Sequence, residues 1–132
     1  MSRRAKVLSR WEEAWYSVAV KIIDAAVTRE ELRAMAQAAF GNLVKAVVDI
    51  SRGIMALDGE LHADEEALLL ENGSRQRDLW GINIYPNLEE DDRVEFDSMI
   101  NIRPSQGNLS RGVDDQDLRK KIIEIVNKLV TP

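Results

Sequence analysis

The sequence predicts an α+β fold: a mainly antiparallel β-meander of four to five strands with helices packed on one face. Two segments have helical periodicity, at about 28–40 and 115–130, whereas residues 44–103 alternate between apolar and polar side chains. Asp58-Gly59 and Asn72-Gly73 favour tight hairpins, because both central residues of such a turn adopt positive φ. We therefore expect a sheet in the middle of the chain and a helix on either side of it.

The composition indicates one globular domain in a reducing compartment. The chain has 132 residues, of which 45% are hydrophobic and 31% charged, and this is enough to build a single core. Cysteine is absent, which excludes disulfides, thiolate metal sites and thiol catalysis. The net charge of -5 disfavours nucleic acid as a partner, because nucleic-acid binders present a basic surface. We expect a cytoplasmic protein.

The first 16 residues are predicted to be an extension, flexible or helical, that precedes a single domain at 17–132. A basic run starts the chain, but charges such as Glu12 and Lys21 interrupt the apolar stretch that follows. A membrane span needs about 20 largely uncharged residues, so neither a signal peptide nor contact with a membrane is predicted. Residues 17–23 are rich in β-branched side chains and are predicted to form a strand.

The two helices are predicted from their ends. Thr28 and Glu31 form a capping-box pattern, in which the hydroxyl accepts a hydrogen bond from the amide three residues on and the carboxylate reaches back. Gly41 follows the last apolar position and suits the left-handed residue after a helix. The second helix starts in a cluster of acidic residues around Asp115 and has Lys128 near its end, as the helix dipole favours.

Hairpins at the two glycine dipeptides also set the predicted register of the sheet. In this register Arg52 and Glu65 lie opposite each other as a pair of unlike charges, and residues 94–103 form the fourth strand. Most of the remaining inward positions are apolar. The alternative interpretation is a helix at 64–72 that begins at Asp64 as N-cap and ends before Gly73.

The outward face of this predicted sheet carries the candidate binding residues. They are Glu60, His62, Asp64, Asn83, Asn101, Arg103 and Arg111. Amides, a single histidine and interspersed leucines are typical of a surface that meets a ligand or a partner, whereas a solvated face is more uniformly charged. Three interpretations of this face remain open.

Binding of a small anion is the first interpretation. Arg103 leads into a loop at 104–111 that is rich in hydroxyls and amides, and Arg111 closes the loop. Backbone amides and a bidentate arginine in such a loop suit a carboxylate or a phosphate. The alternative is that the serine, asparagine and glycine residues serve only the conformation of the loop.

Metal-assisted hydrolysis at Glu60-x-His62-x-Asp64 is the second interpretation, with His62 as general base. On an extended strand Glu60 and Asp64 stand about 13 Å apart, too far to share one ion through bonds of ~2 Å. A hard ion such as Mg²⁺ would require a bulge in the strand. No metal site is therefore predicted, any cofactor stays unidentified, and we favour a non-enzymatic function.

Protein–protein contact, most simply in a homodimer, is the third interpretation. The apolar residues that this face would expose are Leu68, Leu70, Leu79 and Met99. Apolar residues gathered on a surface usually mark an interface. The favoured hypothesis is thus a non-enzymatic binding or interaction module that uses the polar face of the sheet. The alternative is a small hydrolase or nucleotide-handling enzyme using His62 with Glu60 or Asp64.

The chain also resembles a family of small bacterial and archaeal proteins known only as a domain of unknown function. The motifs that carry the resemblance are GELHAD at 59–64, ALLLENGS at 67–74, LWGIN at 79–83 and INIRP at 100–104. The likeness runs from about Thr28 to Val130 and leaves the first 15 residues outside. It implies a stand-alone domain but no activity, substrate or cofactor, so it does not decide among the three interpretations.

Overall fold

A computed structural model describes residues 6–7 and 20–132 of the chain. Within these residues, six antiparallel strands form one sheet on which three α-helices pack, so the predicted α+β class is confirmed. In chain order the elements are β1 (Lys6–Val7), β2 (Lys21–Ile23), β3 (Val27–Thr28), α1 (Arg29–Ala38), β4 (Val44–Asp49), β5 (Ile54–Leu57), α2 (His62–Glu71), β6 (Leu79–Ile84), β7 (Val94–Glu95), α3 (Gln116–Leu129) and β8 (Val130–Thr131). The order across the sheet is β1-β2-β5-β4-β6-β7, and β3 and β8 form a separate parallel pair.

Helices cover both faces of the sheet. One face, which we call the α1/α3 face, packs Ala46 and Ile82 against Leu32 of α1 and Ile122 of α3. The other, the α2 face, carries Val47, Ala56 and Leu79 under α2. Side chains of a strand alternate between faces, and both sets are buried here because each face has its own helical cover. The sheet therefore does not present the open polar face that the sequence predicted.

Both helices predicted from their ends are confirmed. The capping box of α1 is complete: the Glu31 amide donates to Thr28 Oγ1 at 3.0 Å, and the Thr28 amide donates to Glu31 Oε1 at 2.9 Å. At the start of α3 the Asp115 carboxylate accepts from the amide of Asp117 at 2.9 Å. These caps satisfy backbone amides that a helix cannot satisfy itself, so the local sequence is enough to start each helix.

The predicted strand after Asp58-Gly59 is wrong, since this part of the chain is helix α2. Asp58 does adopt a positive φ of 69°, but the chain then turns into the helix instead of folding back as a strand. Gly73, with φ 98°, follows the end of α2, as in the alternative interpretation. The physical reason is that Leu68 and Leu69 are both buried against the α2 face. Neighbouring residues of a helix can share one side, whereas those of a strand point to opposite sides.

The β4–β5 hairpin turns at residues 50–53, ahead of Asp58-Gly59, where the first hairpin was predicted. The Asp49 carboxylate accepts from the amides of Ser51 and Arg52 at 2.9 and 3.0 Å, which stabilises the turn. The predicted Arg52–Glu65 pair is also wrong. Arg52 donates to the backbone oxygen of Asn72, just after α2, at 2.9 Å, whereas Glu65 accepts from the Gly59 amide.

The predicted fourth strand is mostly irregular. Only Val94–Glu95 pairs with β6, and the chain continues through short 3₁₀ turns at Met99–Asn101 and Pro104–Gln106. The predicted extension lies outside the described residues, apart from Lys6–Val7, which pairs with β2. None of the helices in the described part of the chain has the length and apolar character needed to cross a membrane.

Candidate functional site

A cleft of about 320 Å³ opens on the α2 face, between the N-terminus of α2, the end of β6 and the segment that follows β7. Its polar lining consists of Lys45, His62, Asn83, Asp97, Ser98 and Arg111. Its apolar lining consists of Leu61, Ala63, Met99 and Ile100. The volume lies near the lower end of the range for small-molecule sites.

Asn83 on β6 supplies a buried carboxamide to the cleft, with 7% of its surface exposed. Its Nδ2 donates to Glu95 Oε1 at 2.8 Å, and the same oxygen accepts from the Tyr85 hydroxyl at 3.1 Å. Asn83 Oδ1 has no hydrogen-bond partner among the described residues. A buried carbonyl without a donor is unfavourable, so this oxygen is suited to receive a donor from a ligand.

His62 is the first residue of α2 and its ring is fixed against β6. Its Nε2 lies 2.8 Å from the carbonyl oxygen of Ile82. Because a carbonyl only accepts, Nε2 carries the proton of this hydrogen bond. Burial lowers the pKa of His62 below its ordinary value, although the bond to Ile82 opposes that shift. The ring is therefore neutral at pH 7, and its Nδ1 is a second acceptor at the cleft.

The N-terminus of α2 supplies donors to the same cleft. Its N-cap is Leu61, which has no side-chain group to accept from the first turn. The amides of Asp64 and Glu65 bond to the Leu61 oxygen, whereas those of His62 and Ala63 have no such partner among the residues described. An uncapped N-terminus carries a partial positive charge and favours anions.

The charged side chains around the cleft are Lys45, Arg111 and Asp97. Lys45 lies opposite Asn83 in the β4–β6 pairing, and its Nζ is 5.0 Å from the centre of the Phe40 ring. The Nε of Arg111 donates to Asp97 Oδ1 at 2.7 Å. Two cations and one carboxylate thus line the cleft, and the carboxylate of Glu95 adjoins it through its bond to Asn83.

Two of the predicted binding residues have internal hydrogen bonds instead. Asn101 is fully buried and bonds to the backbone of Gly81. Arg103 donates to the backbone oxygens of Leu79 and Gln76 and lies over the ring of Trp80, 4.0 Å from its centre. Both side chains hold the segment after β7 against β6.

Glu60 and Asp64 do not line the cleft, although His62 between them does. Glu60 is exposed in the loop before α2. Asp64 follows His62 by two helical residues, about 200° around the axis, so these two side chains project in different directions. The premise that all three share one face of a strand is therefore wrong. Of the seven predicted residues, the cleft brings together His62, Asn83 and Arg111.

Lys45 and Asp97 line the cleft but were not among the seven residues predicted from the sequence. Lys45 reaches the site because β4 pairs with β6 and places it opposite Asn83. The predicted hairpins inserted a strand between these two segments and so concealed the pairing. Asp97 belongs to the predicted fourth strand at 94–103, and in the structure it lines the cleft and bonds to Arg111.

Two of the four apolar residues on which the predicted homodimer depends are not on the surface. Leu68 of α2 and Leu79 of β6 are fully buried in the core between α2 and the sheet, whereas Leu70 and Met99 are exposed. The homodimer stays a prediction that now depends on fewer apolar residues. No group of three or more histidine, aspartate or glutamate side chains in the described part of the chain is arranged to hold a metal ion.

The fold and the cleft define a small α+β domain in which a crossover helix covers one face of an antiparallel sheet and leaves a cleft at its N-terminus. The chain belongs to a family whose model matches residues 21–129 and is described as "Protein of unknown function (DUF5674)". The predicted membership of a family of unknown function is thus confirmed. No curated protein and no solved structure matches the chain.

Proposed function

We propose that this protein is a binding module whose cleft takes a small anion that also carries a hydrogen-bond donor. The observation that carries the proposal is Asn83, a buried amide whose Oδ1 lacks a donor among the described residues while its Nδ2 is held by Glu95. Lys45 supplies positive charge beside it, whereas Arg111 is ion-paired with Asp97.

The two kinds of group in the cleft suit two parts of one ligand. The amides of His62 and Ala63, together with the Lys45 ammonium, favour a carboxylate or a phosphate. Asn83 Oδ1 and the Nδ1 of His62 are acceptors, so they favour a hydroxyl or an amino group on the same molecule. A cleft of about 320 Å³ limits that molecule to a small one.

Titration of the ¹⁵N-labelled protein with glycolate and acetate tests the proposal, because the two probes differ by one hydroxyl donor. We expect both to shift the amide signals of His62 and Ala63 in a saturable way, with glycolate about threefold to tenfold tighter, as one hydrogen bond allows. Asn83→Ala is expected to remove the preference for glycolate.

Lys45→Met is expected to weaken the binding of both probes. Lys120→Met, at an exposed lysine on α3, is the matched control and leaves their binding unchanged. The proposal is wrong if neither probe shifts these amides, or if Lys45→Met and Lys120→Met have equal effects.

A general-base role for His62 is the second candidate function. The bond from Nε2 to the Ile82 oxygen orients the ring and leaves the Nδ1 lone pair on a neutral imidazole, which is the state that proton abstraction needs. Hydrolysis of p-nitrophenyl acetate above the buffer rate, lost in His62→Gln, would support it. A wild-type rate equal to the buffer rate, or an equal rate in His62→Gln, would exclude this role for His62 with that class of substrate.

A further inference from the structure

We infer that the ligand is an organic acid with an apolar tail, and that the tail lies on Leu61 and Met99. The inference rests on the proposed function, since the anion site fixes where the acid group sits. It adds the chemical class of the remaining part of the ligand, which the charged and polar groups alone do not define.

Two large, exposed apolar side chains line the cleft. Leu61, at the N-cap of α2, is 55% exposed, and Met99, at the start of a 3₁₀ turn, is 65% exposed. Isolated exposed apolar residues are ordinary on a protein surface. These two, however, line one cleft together with Ala63 and the half-buried Ile100, so they add apolar surface to the same site as the polar groups.

The residue type at the N-cap supports this assignment. Serine, threonine, aspartate and asparagine are preferred at an N-cap because they accept from the first-turn amides. Leu61 gives up that stabilisation and leaves the amides of His62 and Ala63 available beside an apolar surface. An amphipathic acid matches both features: its carboxylate accepts from the amides and its tail covers the leucine.

Methionine at position 99 suits tails of more than one shape. Its side chain is unbranched and has several rotatable bonds, so it adapts to the surface that it contacts. Burial of each CH₂ group of a tail tightens binding by roughly fourfold when the group is fully removed from water. The open cleft buries a tail only in part, so we expect a gain of at least about tenfold for a four-carbon extension.

The test compares glycolate with 2-hydroxyhexanoate, which has the same acid and hydroxyl groups and four more carbons. The expected result is at least about tenfold tighter binding of 2-hydroxyhexanoate in the amide titration. Met99→Ser is expected to reduce that advantage, taken as the ratio of the two affinities in the same variant, several-fold. Leu109→Ser, at an exposed leucine outside the cleft, is the matched control and keeps the full advantage.

The outcomes separate this inference from the function that it extends. Equal affinities for the two acids, or an equal loss of both in Met99→Ser, overturn the apolar tail and leave the anion site intact. No binding of either acid overturns the proposed function. Hexane-1,2-diol, which has the tail and the donors without the charge, overturns the anion site if it binds as tightly as 2-hydroxyhexanoate.

A second copy of the chain is the competing occupant of the apolar surface, and light scattering tests it. A wild-type protein that runs as a dimer, together with a monomeric Met99→Ser variant, overturns the small-ligand assignment. A monomer in both cases supports it.

Discussion

The carboxamide of Asn101 pairs with both backbone groups of Gly81. The Gly81 amide donates to Asn101 Oδ1 at 2.8 Å, and Asn101 Nδ2 donates to the Gly81 oxygen at 2.9 Å and to the Arg111 oxygen at 2.9 Å. One side chain thus takes the place of a strand beside β6, beyond the point where β7 ends. It also fixes the wall of the cleft that carries Met99 and Arg111.

Replacement of Asn101 by alanine is expected to destabilise the protein. The change leaves the buried amide and carbonyl of Gly81 without partners, and each such group costs about 1–3 kcal/mol. Urea denaturation should therefore give a lower free energy of unfolding, while Asn42→Ala, at an exposed asparagine, stays within about 0.5 kcal/mol of wild type. A wild-type midpoint for Asn101→Ala would contradict the strand-replacing role.

Gly81→Ala is expected to be unfavourable because Ser98 lies against the glycine. A Cβ at position 81 would come within 2.5 Å of Ser98 Cβ and 2.6 Å of Ser98 Oγ. Such overpacking typically costs about 1–3 kcal/mol. Removing the obstacle in the double variant Gly81→Ala/Ser98→Gly should recover part of that loss, which a double-mutant cycle of unfolding free energies measures. Strictly additive effects would show that the contact is not the cause.

The parts of the fold that the sequence predicted are those whose signals are local. The capping box of Thr28 and Glu31 and the acidic start of α3 involve residues within one helical turn, and both helices were predicted within a few residues of their ends. Of the candidate site, His62, Asn83 and Arg111 reach the cleft. They were selected for their chemistry, although the strand register that grouped them was wrong.

The wrong strand prediction at residues 60–71 shows that the turn dipeptides alone do not decide between a strand and a helix. Asp-Gly and Asn-Gly dipeptides favour positive φ, and both Asp58 and Gly73 have it. Positive φ, however, serves a loop entering a helix and a helix C-terminus as well as a hairpin. Burial of Leu68 and Leu69 against the sheet favours the helix over the strand. This is a tertiary contact, so a local sequence pattern does not indicate it. The true turn did leave a signal, since Asp49 precedes it and Gly53 ends it.

The Asp49–Ser74 bond is expected to couple the β4–β5 turn to the end of α2. Ser74 Oγ donates to Asp49 Oδ2 at 2.6 Å, and both residues are buried. Ser74→Ala leaves Asp49 Oδ2 without its donor, and Asp49→Ala leaves the Ser74 hydroxyl hydrogen without its acceptor, so each change should cost about 1–3 kcal/mol. The double variant should cost less than the sum of the two, as measured by urea denaturation. A coupling free energy near zero would exclude this link.

The buried carboxyl of Glu65 gives the last prediction, a fall in stability as the pH rises. Its Oε2 accepts from the Gly59 amide at 2.9 Å, whereas Oε1 has no hydrogen-bond partner among the described residues. Burial raises the pKa of Glu65 well above its usual value of 4.5, although the bond from Gly59 opposes the shift. Above pH 4.5 the unfolded chain releases this proton while the folded protein keeps it.

The folded state therefore binds more protons than the unfolded state in that window. The contribution of Glu65 is complete below pH 4.5, and stability decreases by up to about 1.4 kcal/mol per pH unit as the pH rises towards the raised pKa. Glu65→Gln cannot ionise, so its urea midpoint should fall less than that of wild type between about pH 5 and 8. Glu71→Gln, at an exposed position of the same helix, should keep the wild-type dependence. Parallel pH curves for wild type and Glu65→Gln would mean that Glu65 is already ionised in the folded protein, because only a proton retained on folding produces the difference.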